Sequence, residues 1–157
     1  MKKKDIRDVC PTIEKYGFFF LELLIKIMKK TELEIKVRYQ ETDKMGIVHH
    51  SVYPIWFELG RTEFLEFFGM TYKKFEKLGY YLPLIELNCK YKFPAKFGDT
   101  VRLESSISKL NKMFVDFEYK LYLKNKLLCI GKTKHVCTNT DFKPVKFNQE
   151  IYKCLDD

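Results

Sequence analysis

Glycine and proline are scarce, 7 and 5 in 157 residues, and no low-complexity tract or internal repeat is visible. With 46% apolar and 16% aromatic residues, this excludes a disordered or collagen-like chain and leaves one folded domain around a single core. No Cys-x-x-Cys pair occurs among Cys10, Cys89, Cys129, Cys137 and Cys154, so neither a zinc finger nor a dithiol redox centre is spelled out. Their odd number and wide spacing suit reduced thiols in a cytoplasm, with Cys129 and Cys137 as small hydrophobes in strand-like runs. Neither a Gly-x-Ser-x-Gly elbow nor a glycine-rich phosphate loop is present, which removes two familiar hydrolytic and nucleotide-binding mechanisms. Acidic residues are the minority, 21 against 29 Lys and Arg, for a net charge of +8. That surplus suits a polyanion: nucleic acid, a membrane surface or a phosphate-bearing cofactor. Without an arginine block, an RNP signature or a paired-cysteine finger, nucleic acid is not the expected partner.

The first 30 residues read differently from the rest. A charged MKKKDIRD leads into YGFFFLELLIKIMKK, an apolar run broken by Glu22 and Lys26 that is too short to span a bilayer and lacks a small-residue cleavage site. It is expected to be an amphipathic helix or an appendage (residues 1–30) ahead of a domain spanning 31–157. Met28 offers an alternative start, which N-terminal sequencing of native protein would settle.

From Glu32 to Tyr39 the apolar residues Leu33, Ile35, Val37 and Tyr39 alternate with polar ones, as in a strand with one buried face. After Ser51, a suitable N-cap, the period changes to three and four through Tyr53, Trp56, Phe57, Gly60, Phe64, Phe67 and Phe68 up to Gly69, predicting a helix of about four turns with Pro54 in its first turn. Gly60 inside it costs roughly 1 kcal/mol against alanine unless another backbone comes close. A short helix over TYKKFEKLG, the run YYLPLIELNCKYKF and three further strand-like runs follow, with a turn at Asn125-Lys126. The order predicts an α+β fold, its long helix packed on one face of an antiparallel sheet.

The segment between strand and helix, ETDKMGIVHHS, carries the chemistry. Gly46 permits the tight geometry that turns the chain. The first N–H groups of the helix have no internal partners and carry the positive end of its dipole. Asp43 beside them can attack a carbonyl or activate water while those N–H groups hold the oxyanion. Equally, an acid ahead of a helix can simply cap it, and spacing does not separate the two. His49 and His50 are adjacent and expected to point in different directions, and with no third ligand evident no metal is expected. Glu41, Glu58 and Glu63 could serve acid-base chemistry, although Glu58 and Glu63 are better suited to ion pairs with Arg61.

The stretch VRYQETDKMGIVHHSVYPIWFELGRTE resembles the signature of the hotdog-fold acyl-CoA thioesterases of the 4-hydroxybenzoyl-CoA thioesterase and YbgC type. Tyr39, Thr42, Asp43, Gly46, Ile47, Val48, His50, Tyr53, Phe57, Glu58, Arg61 and Glu63 carry the match, and the order of elements over roughly residues 33 to 150 agrees. The resemblance implies a curved antiparallel sheet wrapped around the long helix, which would explain Gly60. It also implies a homo-oligomer, a dimer and more plausibly a dimer of dimers, with sites at the interface. Asp43 would be the catalytic carboxylate, supported by Tyr39 and His50, and the N–H of His50 would sit at the helix start. Gly46, Ile47 and Val48 would lie against an acyl-CoA or acyl carrier protein substrate. Lys109 and Lys112, flanking a strand turn, resemble in position the residues that hold the cofactor phosphates, and read equally well as solvated turn lysines. Phe93, Phe114 and Phe117 could line an acyl pocket or belong to the core. Glu41 stands where aspartate is commoner and His49 where an aromatic is usual. No resident cofactor is implied, because coenzyme A is part of the substrate, and a hotdog module that binds acyl thioesters without cleaving them is the non-enzymatic alternative.

Overall fold

The computed structural model describes residues 29–156; most of the predicted appendage, including Met28, lies outside them. Seven strands alternate with three helices: β1 (Lys30–Lys36), α1 (Val52–Phe67), α2 (Tyr72–Lys77), β2 (Tyr80–Tyr81), β3 (Leu84–Tyr91), β4 (Thr100–Leu110), β5 (Phe114–Leu123), β6 (Lys126–Val136), β7 (Thr138–Asn139) and α3 (Gln149–Asp156). Five strands form one sheet in the order β1-β4-β5-β6-β3, every neighbouring pair antiparallel. The two-residue strands β2 and β7 pair separately.

Helix α1 lies across this sheet. Its buried residues, Val52, Tyr53, Trp56, Phe57, Gly60, Phe64 and Leu65, recur at three- and four-residue steps and meet the inward side chains Leu103, Phe117, Tyr119 and Leu121 of β4 and β5. Phe57 stacks on Tyr119 with ring centroids 4.7 Å apart, and Phe64 meets Phe117 edge-on at 5.6 Å. Register shifts at Ile107/Lys109, Leu121/Tyr122 and Leu84/Glu86 add local bend and twist where the sheet curls. Two glycines let helix and sheet approach. A Cβ on Gly60 would stand 2.4 Å from Ser105 Oγ, and one on Gly131 of β6 would stand 2.3 Å from the Phe57 ring. The expected close sheet does explain Gly60, but through the Ser105 and Leu103 side chains of β4 rather than through a close backbone.

Both ends of α1 have physical reasons. Gly69, at φ +82°, donates to Glu66 O at 3.0 Å while Met70 N donates to Leu65 O at 2.8 Å, the paired bonds of a Schellman stop. At the start, Ser51 occupies the cap position but its side chain caps nothing; its Oγ lies 2.8 Å from His49 Nδ1 instead. Thr71 does cap α2, accepting from Lys74 N at 3.1 Å.

Three sequence expectations need correction. The first strand ends at Lys36, where pairing with Thr100 of β4 ends, so Tyr39 sits in a 3-10 turn and is 77% exposed rather than on a buried face. The β5–β6 turn is Lys124-Asn125, with Lys124 at φ +54° and Lys126 already in β6. Arg61 makes no ion pair with Glu58 or Glu63: its guanidinium reaches the buried His135 ring and lies over the Tyr72 ring at 5.6 Å, because it points along the core-facing side of α1. Burial, then the Arg61 charge, push the His135 imidazole down to about 3, so it packs as a neutral ring. Helix α3 was not foreseen; Asn148 caps it through Ile151 N at 2.8 Å, and Ile151 and Leu155, four apart, are buried.

Candidate active site

Residues 41–49 fold into a small hairpin that feeds α1. Thr42 and Val48 pair across it. Gly46 N donates to Asp43 O at 2.9 Å, Asp43 N donates to Ile47 O at 2.9 Å, and Gly46 stands at φ +73°. This is a β-turn closed by a glycine bulge, a geometry that favours glycine at that position. The hairpin is anchored on both sides, by His49 N to Glu41 O at 2.9 Å and by Val48 N to Ala95 O at 2.9 Å.

Glu41 holds the base of the hairpin to the helix. Its carboxylate accepts from Arg38 N and Nη2, each at 2.8 Å, and from Trp56 Nε1 at 3.3 Å. Burial works against its charge, yet the Arg38 and Trp56 hydrogen bonds more than offset this, so its carboxyl sits below the ordinary carboxylate value of 4.5. These bonds leave Glu41 committed to structure rather than to acid-base chemistry. A folded-state pKa below the unfolded one contributes stability above the unfolded value, and that contribution fades as pH falls through the folded one. Glu41→Gln is expected to lose about 1–3 kcal/mol at neutral pH and to show a flatter decline than wild type in urea melts taken from pH 7 down to pH 3.

Above this base lies a cavity of about 270 Å³. Asp43, Met45, Ile47, Val48 and His50 line it from the hairpin, Tyr53 from α1, and Tyr91, Lys92, Phe93 and Pro94 from the end of β3 and the chain beyond. Oδ1 of Asp43 accepts from Met45 N at 2.8 Å. Among the described residues its other oxygen meets no donor, so half of the carboxylate remains available. The helix start supplies the opposite charge. Val52 N–H is taken by His49 O at 3.0 Å and Ser51 N–H points at His49 Nδ1 at 3.3 Å, whereas the N–H of His50 donates to no described group. An unpaired donor at the positive end of a 16-residue helix can receive a developing oxyanion.

The other sequence candidates are distributed as follows. Gly46 shapes the turn, and Ile47, Val48 and His50 reach the cavity. Tyr39 does not: it points outward, packing edge-on against Phe97 at 5.6 Å, and its hydroxyl makes no bond to Asp43. The rings of His49 and His50 do not diverge; their centroids are 4.0 Å apart, because the turn into α1 folds one ring beside the other. Lys109 and Lys112 lie around the β4–β5 turn. Tyr91 is level with Cys129, Leu121 and Leu103 across the sheet, and Lys109 is three strands over and six residues further along β4, a shift of about 20 Å along the strand alone. The lysine that lines the cavity is Lys92, which adjoins the end of β3 and carried no distinguishing sequence signal. Phe117 is core, Phe93 lines the cavity, and Phe114 is half-buried under Lys134.

Comparison with known proteins agrees with this architecture. Residues 37–155 match the thioesterase-like superfamily. YneP of Bacillus subtilis (strain 168), named provisionally as an acyl-CoA thioesterase, is 36% identical over 124 residues, covering 78% of this chain and 90% of its own. The chloroplastic acyl-acyl carrier protein thioesterase ATL3 of Arabidopsis thaliana is 28% identical over 142 residues, 89% of this chain and 75% of its own. The crystal structure of DHNA-CoA thioesterase from Staphylococcus aureus superposes with a TM-score of 0.77 at 29% identity, covering 81% of this chain and 89% of that one. A helix wrapped by a five-stranded antiparallel sheet, joined to a match over nearly the whole described region, makes this chain a member of the thioesterase-like superfamily, with the hotdog fold.

Proposed function

We propose that this chain is an acyl-CoA thioesterase in which Asp43 and the start of α1 act on the two ends of the thioester carbonyl. The observation that carries the reading is that Asp43, with one oxygen unpartnered among the described residues, and His50, with its N–H free, line one cavity. With the carbonyl oxygen held at the His50 N–H, Asp43 adds to the carbonyl carbon or takes a proton from a water that does so. The carbon–sulfur bond breaks, the thiolate leaves, and net addition of water yields the free acid and coenzyme A. No resident cofactor or metal enters this scheme. Coenzyme A is favoured over an acyl carrier protein because YneP and the Staphylococcus aureus enzyme are named for CoA esters, although ATL3 is named for carrier-bound ones.

A second copy completes the site in this reading. The cavity falls below the roughly 300–1,000 Å³ of a typical ligand pocket, and it opens beside β3, an edge strand whose other side is unpaired. That strand exposes Leu84, Ile85 and Leu87, whereas the opposite edge, β1, carries Glu32, Glu34 and Lys36. An open apolar edge invites pairing and a charged one discourages it. We therefore place a dimer along β3, with further pairing to a dimer of dimers, and Lys109 and Lys112 as phosphate contacts across subunits. Among the described residues no helix is long and apolar enough to cross a membrane, and the cysteine pattern supports a cytoplasmic setting.

Release of free thiol from short, medium, long and aromatic acyl-CoA esters, beside matched acyl carrier substrates, tests the reading. Turnover of at least one acyl-CoA, faster than of its carrier counterpart, is expected. Failure on every CoA and carrier ester would favour a binding module instead. Light scattering is expected to give at least a dimer, and an active monomer would contradict the shared site.

A further inference from the structure

Strand β3 sends one side chain into the start of α1. The hydroxyl of Tyr91 donates to the carbonyl of His50 at 2.9 Å, and its ring meets Tyr53 edge-on with centroids 5.0 Å apart. Tyr53 packs against Trp56 at 5.3 Å, whose indole reaches Glu41. The tyrosine is therefore braced on the same framework that carries the hairpin. The far side of the same peptide unit is held too, since Ser51 N–H points at His49 Nδ1 at 3.3 Å and that nitrogen lies 2.8 Å from Ser51 Oγ. The His50–Ser51 peptide is thus clamped by its oxygen and by its hydrogen.

This clamp bears on chemistry because the N–H offered to the substrate belongs to the preceding His49–His50 peptide, which shares the His50 Cα with the clamped unit, so a swing of the clamped unit would disturb the backbone that carries the donor. We propose that Tyr91 is a positioning residue for thioester hydrolysis, its hydroxyl anchoring the His50 carbonyl so that the residue bearing the free N–H keeps one fixed backbone conformation at the start of α1. The inference rests on the reading that this cavity cleaves thioesters. Desolvation of the hydroxyl end, then the neighbouring Cys89 thiol, push the Tyr91 phenol up, which keeps its proton in place at neutral pH.

Tyr91→Phe removes the hydroxyl and keeps the ring against Tyr53. Relative to wild type, kcat is expected to fall at least about tenfold, as loss of oxyanion alignment requires, while KM for the best acyl-CoA changes by less than about twofold. The amide hydrogen of Ser51, followed by exchange in deuterated water, is expected to exchange at least about tenfold faster once the tether is gone. A melting temperature near wild type confirms that the variant is folded. An unchanged kcat overturns the proposal, as does a raised KM with kcat intact, which would make Tyr91 a substrate contact. If wild type cleaves no acyl thioester, it is the functional reading that fails; the Ser51 exchange rate then decides the tether alone, and an unchanged rate removes it.

Discussion

Replacing Asp43 with asparagine lowers kcat on the best acyl-CoA by about 10³-fold, within the range that a general base or nucleophile supplies, with KM and melting temperature near wild type. The structure makes this a test of chemistry rather than folding. An asparagine amide oxygen can still accept the 2.8 Å bond from Met45 N, and the turn is closed by the backbone bonds from Gly46 N to Asp43 O and from Asp43 N to Ile47 O, which do not involve the side chain. What disappears is the negative charge and the unpartnered carboxylate oxygen. Single turnover in ¹⁸O-labelled water bears on the two routes open to the carboxylate: solvent oxygen found in the Asp43 side chain marks a nucleophile whose anhydride water opens at the aspartyl carbon, whereas a base, or water attack on the acyl carbon of the anhydride, sends it to the acid product. Wild-type turnover in the asparagine variant would remove Asp43 from the mechanism.

The largest stability effect is expected at Gly131, where alanine costs about 3 kcal/mol, the upper part of the range for overpacking. A Cβ there would fall 2.3 Å from two atoms of the Phe57 ring. That ring is stacked on Tyr119 at 4.7 Å with planes 10° apart, so it has no free direction in which to yield. Gly131 is also paired on both sides, with Tyr119 of β5 and Cys89 of β3, which prevents the strand from drawing back. Chemical denaturation of Gly131→Ala beside Gly69→Ala measures the difference, since nothing lies within 4 Å of a Cβ on Gly69 and only the cost of its positive φ, about 1–2 kcal/mol, applies. Equal losses in the two variants would contradict the packing account.

Gly60 and Gly131 show where the sequence could and could not be read. Gly60 interrupts a strong helical period, so its discomfort was visible and a close sheet was the natural cause. Gly131 sits in a run whose partners on two strands and one helix are set only by tertiary register, and nothing local names Phe57 as the ring above it. The strand–helix–strand order was legible because apolar residues at periods of two and of three to four mark one buried face each. The end of β1 was not, because Val37 and Tyr39 continue the alternation after pairing with β4 has ended, and a 3-10 turn stabilised by the Arg38–Glu41 bonds rotates Tyr39 outward. At the site, Asp43, Gly46 and His50 were legible because turn, carboxylate and helix start are adjacent in the chain. Tyr91 was invisible for the opposite reason: it contacts His50 from 41 residues away.

The geometry of the reacting carbonyl is tested most directly by a crystal structure with a non-hydrolysable acyl-CoA analogue bound. The account predicts the carbonyl oxygen about 3 Å from the His50 nitrogen and the free oxygen of Asp43 about 3–3.5 Å from the carbonyl carbon or from a water poised on it. A carbonyl bound away from the start of α1, or an Asp43 carboxylate turned out of the cavity with the analogue in place, would contradict it.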